Sequence, residues 1–219
     1  MPQPAVPADT NAIWRLDAAV QHAARDASVQ QQAAVTVTAR GLNWWGGPGV
    51  IWFGAVLWLG ARAAGRRAVS RAALRGIEAL VIASAVSAGI KGFAGRARPF
   101  VVPGEPWHWE FNHGWSDARF FSMPSGHTTA TAAFTLAFVF ATRGWPAAVR
   151  WSLGVPLLMA AVLVPAARVV SDQHWFSDVL AGLLIGTVTA VVIARVHRDR
   201  TPSRYDHVLL GAAAEERTS

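Results

Sequence analysis

The sequence of 219 residues contains no cysteine, one lysine and few acidic residues. The absence of cysteine excludes disulfide bonds and leaves the redox compartment undetermined. With 13 acidic against 20 basic residues the chain carries a net charge of +7. Such an excess is compatible with a nucleic-acid partner, but the arginines cluster in particular loops and form no basic stripe along a soluble face. We therefore expect no nucleic-acid partner.

Long apolar runs are the dominant pattern in a chain that is 53% hydrophobic. About 20 consecutive apolar residues suffice to cross a bilayer as a helix. The sequence predicts five such runs, at residues 47–64, 74–94, 125–142, 148–166 and 178–196. Many of the 11 tryptophans fall near the ends of these runs, as in interfacial aromatic belts: Trp44, Trp45, Trp107, Trp109, Trp115, Trp145, Trp151 and Trp175. These features predict an all-α, polytopic membrane helical bundle of about five transmembrane helices.

Outside the apolar runs, the chain divides into three further segments. Residues 1–10 are proline-rich, lack the pattern of a cleaved signal peptide, and are predicted to form a disordered tail. Residues 11–43 are too polar to span and predict an amphipathic helix on the outer membrane surface, with a merely solvated helix as the alternative. Residues 44–197 form the predicted transmembrane domain, and residues 198–219 a cytoplasmic tail.

The distribution of arginine predicts the orientation of the bundle. Three segments at alternate helix ends carry most of these residues: Arg62, Arg66, Arg67, Arg71 and Arg75, then Arg143 and Arg150, then Arg195, Arg198, Arg200 and Arg204. By the positive-inside rule these segments are cytoplasmic. We therefore expect a protein of the inner (cytoplasmic) membrane whose opposite helix ends face the periplasm or cell exterior.

Three short motifs lie at those opposite ends and together suit the binding and attack of a phosphate group. They are Lys91-x6-Arg98-Pro99, Pro124-Ser125-Gly126-His127 and Arg168-x5-His174-x3-Asp178. Because Lys91 is the only lysine in the chain, its place in the first motif is not background composition. The motifs supply three cations, two histidines, a carboxylate and a candidate helix N-terminus, which is an inventory for metal-independent phosphoryl transfer.

The second motif predicts an anion site at the start of a helix. Ser125 follows a proline and precedes an apolar run, so it is a candidate N-cap. The free N–H groups of Gly126 and His127 would then face an anion, and the His127 imidazolium is placed to protonate a departing alkoxide. An ordinary capped helix start is an equally good interpretation of this motif alone.

The third motif pairs a histidine with a carboxylate. His174 and Asp178 are four residues apart and share a helix face if the last helix extends back that far. Asp178 then accepts a hydrogen bond from one ring nitrogen, and the other nitrogen is free to act as a nucleophile. Taken alone, such a pair is more often a structural hydrogen bond.

The cations of the three motifs are candidate phosphate ligands. Lys91, Arg98 and Arg168 are expected to converge, since guanidinium groups suit phosphate geometry. Arg96 is interpreted instead as an anchor that extends to the membrane surface. A metal site built from His127, His174 and Asp178 is the competing hypothesis, but three neighbouring cations would repel a divalent ion. No metal and no other cofactor is expected.

In order and spacing the three motifs resemble the signature of the type 2 phosphatidic acid phosphatase superfamily. The resemblance implies that His174 is the nucleophile of a phosphohistidine intermediate, Asp178 its orienting partner and His127 the general acid. It further implies a common role as phosphate ligands for Lys91, Arg98, Ser125, Gly126 and Arg168. The chain departs from the family pattern at Ala167, where serine is usual. The substitution removes one hydroxyl donor to phosphate, a hydrogen bond worth about 1 kcal/mol.

The resemblance implies an integral membrane phosphatase acting on a lipid phosphate or diphosphate at the extracytoplasmic face. Candidate substrates are undecaprenyl diphosphate, phosphatidylglycerophosphate, phosphatidic acid and phosphorylated lipid A. Three alternatives stay open: a phosphate-transferring lipid enzyme, a vanadate-binding haloperoxidase, and a non-catalytic lipid-binding or transport protein with the same fold. The haloperoxidases are typically soluble, and the complete set of acid and base residues argues against a non-catalytic role.

Overall fold

The computed structural model describes residues 11–26, 32–198 and 209, and the part of the chain that it describes is helical, without a β-strand. The helices are α1 (Ala12–Arg25), α2 (Ala33–Trp44), α3 (Val50–Ala63), α4 (Arg67–Ala94), α5 (Gly126–Ala141), α6 (Ala147–Val170) and α7 (Phe176–Val196). The predicted all-α membrane bundle is therefore confirmed.

Among the described residues, three helices are long and apolar enough to cross a membrane: α4, α6 and α7. The remaining two predicted spans, 47–64 and 125–142, correspond to the shorter helices α3 and α5, of 14 and 16 residues. A helix of 16 residues is about 24 Å long, less than the hydrocarbon thickness of a typical bilayer. All five apolar runs are helical, but length and composition identify three of them as spans.

The bundle is organised around α5, whose side chains are mostly buried. Small residues line its contacts with α4 and α7, including Ala79, Ala83, Ala133 and Ala190. Larger apolar side chains such as Val162 and Leu184 point outward, at 71% and 64% exposure. Small residues inside allow helices to approach closely, and large apolar residues outside suit a lipid environment.

The predicted N-terminal amphipathic helix is present as two helices within residues 11–43. Helix α1 ends at Arg25 and α2 begins at Ala33. Helix α1 is not a detached surface helix, because Ala24 packs in a cluster with Val169 and Val179. The predicted tails, 1–10 and nearly all of 198–219, lie outside the described residues.

A kink separates α2 from α3. The five residues Trp45–Gly49 form a π-helical turn that contains Pro48, and Gly47 leaves helical geometry with φ −99° and ψ −105°. Proline cannot donate the next helical hydrogen bond, and glycine adopts backbone angles that other residues avoid. The turn places the backbone of Gly46 and Gly47 against α5.

The connection between α4 and α5, residues 95–125, folds over the end of the bundle. It begins at Gly95, which ends α4 in the left-handed conformation with φ 58°. A Cβ atom there would stand 1.7 Å from the carbonyl oxygen of Glu110, so glycine is required. The indole N–H of Trp175 donates to Ala97 O at 2.9 Å beneath this connection. Trp175 is fully buried, so its predicted place in an interfacial belt is wrong.

Candidate active site

The three sequence motifs meet at the end of the bundle covered by the 95–125 connection. Lys91 lies in the last turn of α4, and a Cβ atom on Gly126 at the start of α5 would stand 3.5 Å from its Cε. The backbone N–H of Ser125 donates to the carbonyl oxygen of Asp178 at 2.9 Å. Backbone and side-chain contacts therefore join the first motif to the second and the second to the third.

The ammonium group of Lys91 is held in a buried position. Its Nζ donates to the carbonyl oxygens of Phe121 and Ser122, at 2.9 and 3.3 Å. The Lys91 residue is only 6% exposed, and its ammonium also lies over the Phe121 ring. Two of the three N–H donors of the ammonium are engaged by these carbonyls. A cation fixed in this way is ready to meet an anion without reorganisation.

Ser125 occupies the predicted N-cap position of α5. Its side chain makes no capping hydrogen bond; instead the hydroxyl accepts from Thr128 Oγ1 at 3.0 Å. The N–H groups in the first turn of a helix have no intrahelical acceptor, and they favour a negative charge. The helix start thus has the backbone geometry of an anion site.

The His127 ring lies against the kink between α2 and α3. A Cβ atom on Gly47 would stand 2.8 Å from its Nε2, and one on Gly46 would stand 3.3 Å from its Cβ. The two adjacent glycines therefore let the α2–α3 backbone approach the ring. No sequence pattern pointed to this contact, because glycine pairs in apolar runs usually serve helix packing.

The His174 side chain is almost completely buried, at 1% exposure. Burial lowers the pKa of His174 to about 3; Asp178 opposes this shift, while the charges of Lys91 and Arg168 add to it. The imidazole is therefore neutral at physiological pH, which is the state that carries a nucleophilic nitrogen.

The relation of His174 to Asp178 differs from the prediction in two respects. Helix α7 begins at Phe176, so His174 precedes the helix and shares no helix face with Asp178. The distance from His174 Nδ1 to Asp178 Oδ2 is 3.7 Å, longer than a hydrogen bond. The helix begins here because Asp178 Oδ2 accepts from the backbone N–H of Trp175 at 2.9 Å. Catalytic hydrogen bonds are often long without substrate and tighten in the reacting complex.

Three donors in all hold the Asp178 carboxylate. Oδ2 also accepts from the Ser122 hydroxyl at 2.5 Å, and Oδ1 accepts from Arg96 Nη1 at 2.6 Å. With Trp175, these contacts use both oxygens of a carboxylate that is fully buried. The Asp178 carboxylate is therefore fixed in place on the Nδ1 side of the His174 ring.

Arg96 is not the membrane-surface anchor that the sequence predicted. It is 1% exposed and forms ion pairs with Asp17 and Asp178, at 2.7 and 2.6 Å. Its other donors reach Pro106 O and Ser177 Oγ. A buried guanidinium requires such complete pairing, since isolated buried charges are very costly. No local sequence pattern indicated this role, because Asp17 lies in a distant and largely polar segment.

The two remaining cations, Arg98 and Arg168, differ in how far their donors are engaged. Arg98 Nη1 donates to Gln173 Oε1 at 2.8 Å and its Nε to Ala118 O at 3.0 Å. Burial lowers the pKa of Arg98, and the charge of Asp178 partly offsets that effect. Arg168 is 6% exposed, and among the described residues its Nε has no hydrogen-bond partner. Such a buried donor fits a site for an anionic ligand.

Metal-ligating side chains do not gather here. Within the described ranges, no group of three or more His, Cys, Asp or Glu side chains is arranged to hold a metal ion. Asp178 in particular uses both carboxylate oxygens for protein donors. The structure thus brings together two histidines, one carboxylate and three cations around the start of α5.

Comparison with known proteins agrees with the motifs. The sequence pattern of the PAP2 superfamily matches residues 72–202, more than half of the chain. The chain belongs to the PAP2 superfamily. The resemblance inferred from the three motifs is thereby confirmed. The matched region includes α4 from residue 72 onward, α5 to α7 and all three motifs, but excludes α1, α2 and α3.

Two PAP2 relatives are similar to this chain. YbjG of Escherichia coli (strain K12), named provisionally as an undecaprenyl-diphosphatase, is 34% identical over 133 residues. That alignment covers 61% of this chain but only 59% of the relative. A transmembrane PAP2-type phosphatidylglycerolphosphate phosphatase from Bacillus subtilis has the same fold, with a TM-score of 0.59 and 20% identity. The similarity covers 88% of this chain and 91% of that protein.

Proposed function

We propose that the chain is an integral membrane phosphatase that hydrolyses a lipid phosphate or diphosphate through a phosphohistidine on His174. The observation that carries this proposal is a neutral, buried imidazole with Nδ1 3.7 Å from the Asp178 carboxylate and in electrostatic interaction with the cations of Lys91 and Arg168. A phosphate bound by the cations and the N–H groups at the start of α5 would lie beside that imidazole.

The first half-reaction transfers the phosphoryl group to the enzyme. Nδ1 of His174 is the nitrogen nearer Asp178, so we assign Nε2 as the nucleophile. Nε2 forms a bond to phosphorus as the bond between phosphorus and the leaving-group oxygen breaks. His127 gives a proton to that oxygen, and Asp178 stabilises the positive charge on the phosphorylated ring.

The second half-reaction returns the enzyme to its starting state. A water molecule attacks phosphorus, the phosphorus–nitrogen bond breaks, and neutral His174 is restored. His127, left neutral by the first step, takes the proton from water. Throughout, Lys91, Arg98 and Arg168 bind the phosphoryl oxygens, and this chemistry requires no metal ion.

The arginine distribution supports a proposed orientation in the membrane. Arg75, Arg143 and Arg198 line one small cavity of about 180 Å³ at the end of the bundle away from the site. By the positive-inside rule that end is cytoplasmic. The phosphatase site would then act at the extracytoplasmic face, on the periplasmic or outer side of the inner membrane.

The name of the E. coli relative favours undecaprenyl diphosphate as the first substrate to test. The experiment measures phosphate release by purified protein in detergent with a chelator present. Its panel is undecaprenyl diphosphate, phosphatidylglycerophosphate, phosphatidic acid and lipid A. His174→Ala is the test variant, and the exposed His22 supplies a matched control, His22→Ala.

Each outcome decides between the proposals. Chelator-resistant release that His174→Ala abolishes and His22→Ala preserves supports the phosphatase. Loss of release on chelation contradicts metal independence. Release that survives His174→Ala excludes the phosphohistidine, and no release from any lipid favours the non-catalytic alternative. Phosphate transfer to an added lipid alcohol in preference to water would favour a transferase.

A separate experiment tests the orientation of the protein in the membrane. Because the chain contains no cysteine, an introduced cysteine is the single site for thiol labelling. Ser116 is exposed in the 95–125 connection, and Gly144 is exposed between α5 and α6. In right-side-out vesicles, an impermeant maleimide should label Ser116→Cys before membrane disruption and Gly144→Cys only afterwards. The reverse order would place the site on the cytoplasmic side.

A further inference from the structure

Asp17 of α1 lies buried beside the catalytic carboxylate, although it is remote from every motif in sequence. It is 1% exposed. Its Oδ2 accepts from Arg96 Nη2 at 2.7 Å and from Ser177 Oγ at 2.6 Å. Its Oδ1 accepts from the backbone N–H of Ser177 at 2.7 Å. Both oxygens of Asp17 therefore bind groups that adjoin Asp178.

Arg96 links the two carboxylates through opposite ends of one planar group. Its Nη2 binds Asp17 and its Nη1 binds Asp178 Oδ1 at 2.6 Å. Since a guanidinium is rigid and directs its N–H groups in a fixed fork, the position of one carboxylate constrains the other. The ring faces of Trp109 and Trp175 also lie near the guanidinium, at 5.1 and 5.6 Å from their centroids.

Helix α1 is also fastened at a second place that does not involve Arg96. Arg25 binds the Asp172 carboxylate, with the closest contact at 2.5 Å, and donates to Pro99 O at 2.7 Å. Gln21 also donates to Asp172. This fastening holds α1 to the loop before His174 but has no direct contact with Asp178. The contacts of Arg25 therefore provide a control, because they attach α1 to the bundle without reaching Asp178.

We propose that Asp17 is a positioning residue for phosphoryl transfer, which acts through Arg96 to hold the Asp178 carboxylate in line with Nδ1 of His174. As the phosphohistidine forms, the ring becomes positively charged and its Nδ1–H needs an acceptor. Asp17 keeps Arg96 from shifting toward Asp178 alone, so the carboxylate stays where that acceptor is required. This inference rests on the proposed role of His174.

The role assigns a catalytic contribution to a helix outside the region matched to the PAP2 superfamily, residues 72–202. A merely structural Asp17 would lower the amount of folded enzyme without changing the properties of each folded molecule. A positioning Asp17 changes how well each folded molecule binds the transition state. Inhibition constants separate these cases, since they do not depend on the concentration of active enzyme.

The experiment compares Asp17→Asn, Arg25→Gln and wild type as purified full-length proteins in detergent, with undecaprenyl diphosphate as substrate. Orthovanadate serves as an analogue of the five-coordinate transition state and inorganic phosphate as an analogue of the bound product. Asp17→Asn keeps the size of the side chain and removes its charge. We expect its Ki for vanadate to rise about tenfold, with the Ki for phosphate within about twofold, because the transition state alone needs the aligned carboxylate.

The control variant should behave differently. Arg25→Gln removes the second fastening of α1, and we expect both inhibition constants to stay within about twofold of wild type. If Asp17→Asn cannot be recovered folded, Ser177→Ala removes the hydroxyl between Asp17 and Arg96 and should raise the vanadate Ki about threefold. Melting temperatures in detergent report the folded state of each variant.

Two results would overturn the inference: an unchanged vanadate Ki in Asp17→Asn, or an equal rise in Arg25→Gln. Failure of the proposed function is distinct, since it shows as wild-type enzyme that releases no phosphate or as full activity in His174→Ala. An active, His174-dependent wild type with an unaffected Asp17→Asn would therefore reject only the positioning role.

Discussion

Gly47 lies so close to the ring of His127 that a Cβ atom on it would stand 2.8 Å from Nε2. The same glycine has non-helical backbone angles in the turn between α2 and α3. The catalytic acid of the proposed mechanism therefore packs directly on a bare peptide of a segment outside the matched family region. Its orientation depends on that backbone.

Gly47→Ala should lower activity at least about tenfold, because the new methyl group must displace the His127 ring from its position. The measurement is kcat/KM for lipid phosphate hydrolysis. Gly60→Ala is the matched control, since a Cβ atom at that helical glycine meets no other atom within 4 Å. An active Gly47→Ala enzyme with wild-type kcat/KM would show that the ring position is not critical.

The roles assigned to the two histidines predict that replacing each one will change the dependence of activity on the leaving group in a different way. A substrate with a good leaving group, such as p-nitrophenyl phosphate, needs little protonation of the departing oxygen. The deficit of His127→Asn should therefore shrink at least about tenfold when this substrate replaces a lipid phosphate, whereas His174→Asn should stay inactive with both. The comparison uses kcat/KM with the two substrates, because kcat/KM reports phosphoryl transfer to His174 and excludes the later hydrolysis in which His127 acts as a base. Equal deficits in His127→Asn would remove the general-acid assignment.

Arg96 and Arg98 are two residues apart, but we expect their substitution to have different effects, on stability for Arg96 and on phosphate binding for Arg98. Arg96→Gln leaves the buried carboxylates of Asp17 and Asp178 without their shared cation, and we expect a loss of about 3–5 kcal/mol in stability. Arg98→Gln removes a cation held by Gln173 and Ala118, and it should mainly raise the KM and the Ki for phosphate. Thermal melting in detergent and phosphate inhibition distinguish the two. Similar melting temperatures for both variants would contradict this division.

The buried His174 predicts acid sensitivity of the fold. Its pKa is about 3 in the folded state, against about 6.5 in an unfolded chain, so below pH 6.5 the unfolded state binds the extra proton. Stability from this residue is therefore complete above pH 6.5 and falls as the pH decreases, by about 2 kcal/mol at pH 5. His174→Asn should lose less stability than wild type between pH 7 and pH 5.

The control for this pH effect is His22→Asn, which alters an exposed histidine. It should retain the full wild-type decrease in melting temperature between pH 7 and pH 5. Identical decreases in wild type and in His174→Asn would mean that the pKa of His174 is the same in the folded and unfolded states.

Local patterns in the sequence were sufficient to predict the helices and the residues of the three motifs. Apolar runs mark helices because burial in lipid or protein needs consecutive apolar residues. Motif residues such as Ser125 were placed correctly because a helix cap depends on its immediate neighbours. Apolar composition did not reveal the kink at Trp45–Gly49, so α3 begins later than the predicted run 47–64. Helix α5 matches the predicted run 125–142 within one residue at each end.

Contacts between distant segments could not be predicted in the same way. Arg96 resembles any arginine near a membrane surface until the fold brings Asp17 and Asp178 to its two sides. Trp175 has the composition of an interfacial residue, but the 95–125 connection covers it. In both cases the decisive partner is supplied by tertiary structure.

The hydrogen bond from Ser125 N to Asp178 O joins the helix start proposed to bind phosphate directly to the residue whose carboxylate is proposed to orient His174. Below it, Gly182 and Gly186 bring α7 against the α5 backbone, where a Cβ atom on either would stand 2.7 Å from a carbonyl oxygen. The start of α5 and the Asp178 carboxylate therefore belong to one closely packed unit. The backbone and solvent around a preorganised unit rearrange little during a reaction. Under the proposed function, the lipid head group must therefore adjust to the protein as it enters.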